Sequence, residues 1–344
     1  MNRIRATLYH FGLAAAVSWT LLRQTCLAEP DTARVPNAGE APTAEAPGGT
    51  EVDDAKGVTS GGNTLGGLVF WRDEKFFHGW RIQRHCWSGQ CRLLDGDNKR
   101  HATGSFDECQ AKLDEIRTQL HLPPMKGRAV VLIHGLGAIR ALMEPLGKEL
   151  EKQGYAVFNV TYPSTRTDLA EHARGLANCI ASLEGIEEIN LVAHSMGNLV
   201  IRHWLGDCRD GHCPPDPRIR RFVMLAPPNH GAQLATEWGK NVIFSTFVGA
   251  SAMQIGPGWA DVEKRLAIPS CEFAIIAGGK GDDRGFNRHL DGDDDGLISV
   301  ETTKLPGARD FVLVPYPHTQ LLFKPDVHEY VVRFLAEGRF KESQ

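Results

Sequence analysis

Ser195, Asp295 and His318 are the residue types that together perform acyl chemistry, and they occur in that order along the chain. A serine hydroxyl is a weak nucleophile until an imidazole takes its proton, and the imidazole needs a carboxylate to hold its tautomer. Ser195 lies in Ile189-Asn190-Leu191-Val192-Ala193-His194-Ser195-Met196-Gly197-Asn198-Leu199-Val200-Ile201. Ala193 and Gly197 stand two positions either side of it, as a tight strand-to-helix turn requires, because larger side chains there would clash with strand or helix. Such a turn lifts the hydroxyl clear of a sheet and sets it at the positive end of a helix.

The acid comes from Asp291-Gly292-Asp293-Asp294-Asp295-Gly296. Asp295 is the chosen acid, with Asp294 and Asp293 behind it. The same stretch reads alternatively as a calcium loop, but its last position is Thr302, and Glu301 is one residue early for a bidentate ligand. His318 follows the apolar run Phe311–Val314 and precedes a closing helix. An oxyanion needs two convergent backbone N–H groups. The glycines of His134-Gly135-Leu136-Gly137 assign the first to Leu136, and the second belongs to Met196, just after the serine. His134 precedes the acid in sequence, so it is read as a brace for that loop rather than as the base.

The elements that must position these groups alternate. Buried-strand runs are expected at 128–133, 155–161, 189–193, 221–225, 271–277 and 311–314, with helices at 142–153, 168–183, 198–205 and 326–337. That rhythm means an α/β fold with a mostly parallel sheet and helices on both faces. Ahead of it, strands at 66–71, 79–83 and 90–94 and a helix at 105–120, capped by Ser105 with Glu108 three residues on, make a small antiparallel extension over 64–123. The catalytic domain is expected over 124–344. Between 232 and 268, the apolar residues Val242, Ile243, Phe244, Phe247 and Val248 suggest a cap over an acyl pocket or an ordinary helical insertion.

Residues 1–28 read as a secretory signal, with Arg3 and Arg5 ahead of a short apolar run, and 29–63 as a linker rich in Ala, Pro, Gly, Thr and Glu. An uncleaved signal would leave a membrane anchor. Export fits the cysteines: of the eight, seven follow Ala28, and Cys86–Cys91 and Cys208–Cys213 are spaced for short disulfides. Neither pair has zinc-finger spacing. The net charge of −4 argues against nucleic acid as a partner.

VVLIHGLG (130–137), INLVAHSMGNLVIR (189–202), DDGLISV (294–300) and HTQLLF (318–323) together resemble the α/β-hydrolase lipases and esterases, specifically the bacterial AHSMG-type and related PGAP1-like domains. The resemblance spans about 128–340 and is absent from 29–121. It implies Asp295 as triad acid and His318 as base. Some of these lipases hold calcium through an aspartate shortly after the histidine, where Gln320 stands here. The resemblance implies a secreted serine hydrolase that needs no cofactor and acts on small-molecule or lipid esters, with contact to a lipid surface as a variant. An amidase, thioesterase or acyltransferase with the same groups, and an inactive binding protein, are the alternatives.

Overall fold

The computed structural model describes residues 69–232, 251, 254–256 and 258–341. The expected leader, the linker and the five apolar residues of the cap lie outside the described residues. The described residues belong to one compact unit, Gly61–Gln344.

Six strands form a parallel sheet: β5 (Gly127–Ile133), β6 (Ala156–Val160), β7 (Ile186–His194), β8 (Ile219–Leu225), β9 (Glu272–Gly278) and β10 (Asp310–Val314), in the order β10-β9-β8-β7-β5-β6. Their near-continuous apolar runs are what a sheet buried on both faces demands. Alternation divides each strand between two cores. Ala129, Val131 and Ile133 of β5 join one, while Val130 and Leu132 join the other. The first core is closed by α3 (Leu169–Ala181) and α4 (Met196–Arg209), the second by α2 (Glu144–Lys152) and α7 (Pro325–Glu337). The α/β architecture expected from the sequence, with a mostly parallel sheet covered by helices on both faces, is the one the chain adopts.

Local chemistry sets the helix boundaries. The Asp168 carboxylate caps α3 by accepting from the Glu171 N–H at 2.8 Å. Pro145 falls in the first turn of α2, after a 3₁₀ turn at Arg140–Met143. The closing helix α7 ends at Gly338 in the left-handed region, φ 76°. Two short helices, α5 (Trp259–Glu263) and α6 (Val300–Thr303), lie in the connections after β8 and β9.

The N-terminal extension is a four-stranded antiparallel meander of β1 (Trp71–Phe77), β2 (Trp80–His85), β3 (Cys91–Leu94) and β4 (Arg100–Gly104), followed by α1 (Phe106–Gln119). The Ser105–Glu108 capping box is present. The expected strand at 66–71 falls partly on 66–68, outside the described residues; 69–70 form a 3₁₀ turn and β1 runs from Trp71. It contains Asp73 and Glu74, which are buried yet paired. The fourth strand, Arg-His-Ala-Thr-Gly, carries no apolar alternation and escaped the sequence reading. Phe76, Ile82, Cys91, Leu93 and Leu113 share one apolar core with the parallel sheet.

The expected Cys208–Cys213 disulfide is formed. Cys86 and Cys91 are both free thiols, which corrects the second expected pair. Register is the reason: Cys91 pairs with Arg84 rather than Cys86, and its thiol turns into the core.

Candidate active site

The strand order reverses between β5 and β7, since β5 connects onward to β6 on one side and pairs with β7 on the other. Ligands of open α/β sheets bind at the carboxyl ends of strands beside such a switch. There β5 ends in the loop 134–137 and β7 ends at His194.

Ser195 sits at the corner with φ 54° and ψ −128°, outside the helical and extended regions, and α4 begins at the next residue. A non-glycine residue at positive φ costs free energy and has to be held in place by its surroundings. Its N–H donates to the Leu225 carbonyl at 2.9 Å. Its carbonyl accepts from Asn198 Nδ2 at 2.9 Å, and the same amide reaches Leu225 O at 3.2 Å. Asn198 is fully buried, and nothing in the sequence marked it. The small neighbours are required by space. A Cβ on Gly197 would lie 2.7 Å from the Ile133 and His134 carbonyl oxygens, and one on Gly135 would lie 2.9 Å from the Ser195 Cβ.

Asp295 and His318 meet directly. His318 Nδ1 donates to Asp295 Oδ2 at 2.6 Å, and the His318 N–H donates to the Asp295 carbonyl at 2.8 Å. The other carboxylate oxygen accepts from Leu297 N at 2.9 Å and Ile298 N at 2.8 Å. Both residues are buried. With Nδ1 engaged as a donor, Nε2 of His318 carries the lone pair that a proton acceptor needs. Asp295 comes from the long loop after β9, not from a short turn, and that loop is folded by its own acids. Asp293 accepts from the Lys280 and Gly281 N–H groups, and Asp294 accepts from those of Asn287 and Gly296. Burial pushes the Asp294 carboxyl up. The two runner-up acids are therefore committed to the loop. Among the described residues, no cluster of three or more His, Cys, Asp or Glu is placed to hold a metal.

His194 joins the two halves. Its Nε2–H donates to the His318 carbonyl at 3.1 Å, and the two rings lie 4.7 Å apart. Burial first, and the His318 ring second, hold the His194 pKa well below its ordinary range, so this ring is a neutral donor. Ser195, one residue on, is thereby set beside the His318 loop. Among the described residues, no hydrogen bond links the Ser195 hydroxyl to His318. Catalytic hydrogen bonds of unliganded sites commonly tighten only with substrate.

The loop after β5 faces the same corner. Gly137, at φ 67°, donates its N–H to Ser164 Oγ at 3.0 Å. Leu136 lies between it and Gly135, which abuts Ser195. The Met196 N–H is the first of α4 and has no intrahelical acceptor. His134 stacks on Tyr162 at 4.4 Å, and its carbonyl accepts from the Tyr162 hydroxyl at 2.5 Å. Burial lowers the His134 pKa to about 4. Its place is that of the brace read from the sequence.

The DUF7379 family, described as a domain of unknown function, matches residues 99–268. No protein of curated function matches the chain. The chain is similar to the Bacillus licheniformis lipase BlEst2 in its mature form at 16% identity and a TM-score of 0.46, over 62% of this chain and 94% of that one. It is similar to the Bacillus subtilis carboxylesterase CesB at 17% identity and a TM-score of 0.38, over 62% of this chain and 85% of that one. It is also similar to Est1E of Butyrivibrio proteoclasticus, solved with ferulic acid bound, at 15% identity and a TM-score of 0.41, over 63% of this chain and 92% of that one.

Proposed function

We propose that this chain is an exported serine hydrolase that cleaves carboxylic esters. The observation that carries the reading is the 2.6 Å Asp295–His318 pair beside the strained Ser195 corner. In this reading His318 Nε2 takes the Ser195 proton as the oxygen attacks the ester carbonyl. Asp295 keeps Nδ1 protonated and stabilises the imidazolium. The Leu136 and Met196 N–H groups receive the tetrahedral oxyanion. His318 then gives its proton to the leaving alcohol, and water, deprotonated by the same ring, releases the acid from the acyl-serine. Every group comes from the chain, so no cofactor enters. The Cys208–Cys213 disulfide supports export, since such bonds persist in oxidising compartments.

The test is hydrolysis of p-nitrophenyl esters from acetate to palmitate, run beside Ser195→Ala and His318→Ala. Turnover lost in both variants supports the reading, and the chain-length profile separates esterase from lipase. Turnover by wild type that survives Ser195→Ala contradicts it. If folded wild type leaves every ester intact, ester cleavage is wrong and matched amide and thioester substrates become the next assay.

A further inference from the structure

Resting on the ester-hydrolase reading, we propose that Arg81, Arg92 and Arg140 form a subsite beside the oxyanion loop for an anionic group, carboxylate or phosphate, carried by the substrate. Strand alternation places Arg81 and Arg92, and Arg140 comes from the 3₁₀ turn after β5, where its carbonyl accepts from Asn159 Nδ2 of β6 at 2.8 Å, two residues before Thr161. Ile82 and Leu93 put one face of the meander into the core. The opposite face carries Trp71, Asp73, Arg81, Gln83 and Arg92, through the pairs Asp73–Gln83 and Gln83–Arg92. Arg81 Nη1 lies 3.3 Å from Asp73 Oδ1 and 3.5 Å from Thr161 Oγ1, and Nη2 bonds Asn98. Arg92 donates to the Gln83 amide oxygen at 3.0 and 2.8 Å and lies 4.0 Å over the Trp71 ring. Those are neutral partners. Among the described residues, the Arg140 guanidinium has no hydrogen bond or ion pair.

Two carboxylates, Asp73 and the Glu144 one turn after Arg140, stand against three partly or fully buried guanidinium groups, and Asp73 is already engaged by Gln83 Nε2 and the Thr161 N–H. Asp95, in the turn before β4, is held by His101 at 2.7 Å. Burial is the main cause lowering the pKa of both Arg92 and Arg140, and the Arg81 charge is the second. Glu144 opposes this at Arg140, while Arg100 adds to it at Arg92. Arg72 and Arg84 make the contrast, because both pair with Glu74 and Arg72 also pairs with Glu171. Buried positive charge without matching negative charge is unfavourable, and a guanidinium relieves it best by bidentate bonding to a carboxylate or phosphate.

The cluster adjoins the chemistry. Arg140 is three residues beyond Gly137, a chain distance of at most about 11 Å. Thr161, which Arg81 touches, precedes Tyr162, whose hydroxyl braces the His134 carbonyl.

The test compares the p-nitrophenyl half-ester of glutaric acid with neutral p-nitrophenyl valerate in wild type, Arg140→Gln, Arg140→Lys and Arg92→Gln. The inference expects the kcat/KM preference for the glutarate ester to fall about tenfold in Arg140→Gln, through KM, and to recover partly in Arg140→Lys. Thermal melts identify any variant that fails to fold, and Arg92→Gln then carries the comparison. Calorimetric titration of glutarate and of inorganic phosphate into Ser195→Ala supplies a readout independent of turnover. Tighter binding of one anion, weakened in Arg140→Gln, identifies the group taken. Binding without turnover of any ester leaves the subsite standing and removes the hydrolase reading. A preference indifferent to Arg140 and Arg92, with no anion bound, overturns the inference.

Discussion

At the residue scale, the proposed chemistry turns on where hydrogen atoms sit. Asp295→Asn replaces a carboxylate that accepts from His318 Nδ1 with an amide that can turn a donor toward it. The imidazole then takes the wrong tautomer, and kcat for an ester falls about 10³- to 10⁴-fold with little change in KM. Steady-state kinetics of that variant check this. The buried histidines set the acid limb of stability. Burial lowers His134 to about 4 and His172 to about 3, and it places His194 well below its usual range. In the unfolded chain each takes up its proton near about pH 6.5. Below that pH the unfolded state holds more protons than the folded one, so stability is full above about pH 6.5 and is lost as pH falls. Between pH 7.5 and 5, His134 and His172 should each remove about 2 kcal/mol. Guanidinium unfolding at the two pH values checks this, and His172→Gln should flatten the dependence. The proposed triad of Ser195, Asp295 and His318 stands out in the sequence because its chemistry dictates residue type and order. Asn198 and His194 were not, because one holds a carbonyl of the turn and the other the carbonyl of His318, and backbone contacts leave no motif.

At the element scale the turn between β7 and α4 has no spare room. Gly197→Ala places a methyl 2.7 Å from two carbonyl oxygens, so the helix must shift. We expect a loss of about 1–3 kcal/mol in chemical denaturation. Because the same shift moves the Met196 N–H, kcat should fall with it. The parallel strands were legible because burial on both faces writes an uninterrupted apolar run. The meander was only partly so. Nothing in the sequence marks Asp73 and Glu74 as buried: their partners Arg81, Gln83 and Arg84 reach them across a hairpin whose register the sequence does not reveal, and Asn178 comes from a helix 104 residues away.

At the scale of the whole molecule, the meander shares a core and a polar seam with the parallel sheet. The Asp73 N–H donates to Thr161 O at 2.9 Å, and its carboxylate accepts from Thr161 N at 2.6 Å. Asp73→Ala leaves Arg81 buried without its counter-charge, which should cost about 3–5 kcal/mol. Denaturation followed by tryptophan fluorescence and by circular dichroism should give one coincident transition in wild type, and a lower midpoint in the variant. This seam was invisible in the sequence, which offered two adjacent units and no sign of what joins them. The central claim, a nucleophilic serine at the end of β7, is tested most directly by reaction with a fluorophosphonate followed by peptide mass mapping. One phosphonyl group is expected on the peptide bearing Ser195, absent in Ser195→Ala and slowed in His318→Ala. A folded protein left unlabelled at Ser195, or labelled at another residue with its ester hydrolysis lost, would contradict it.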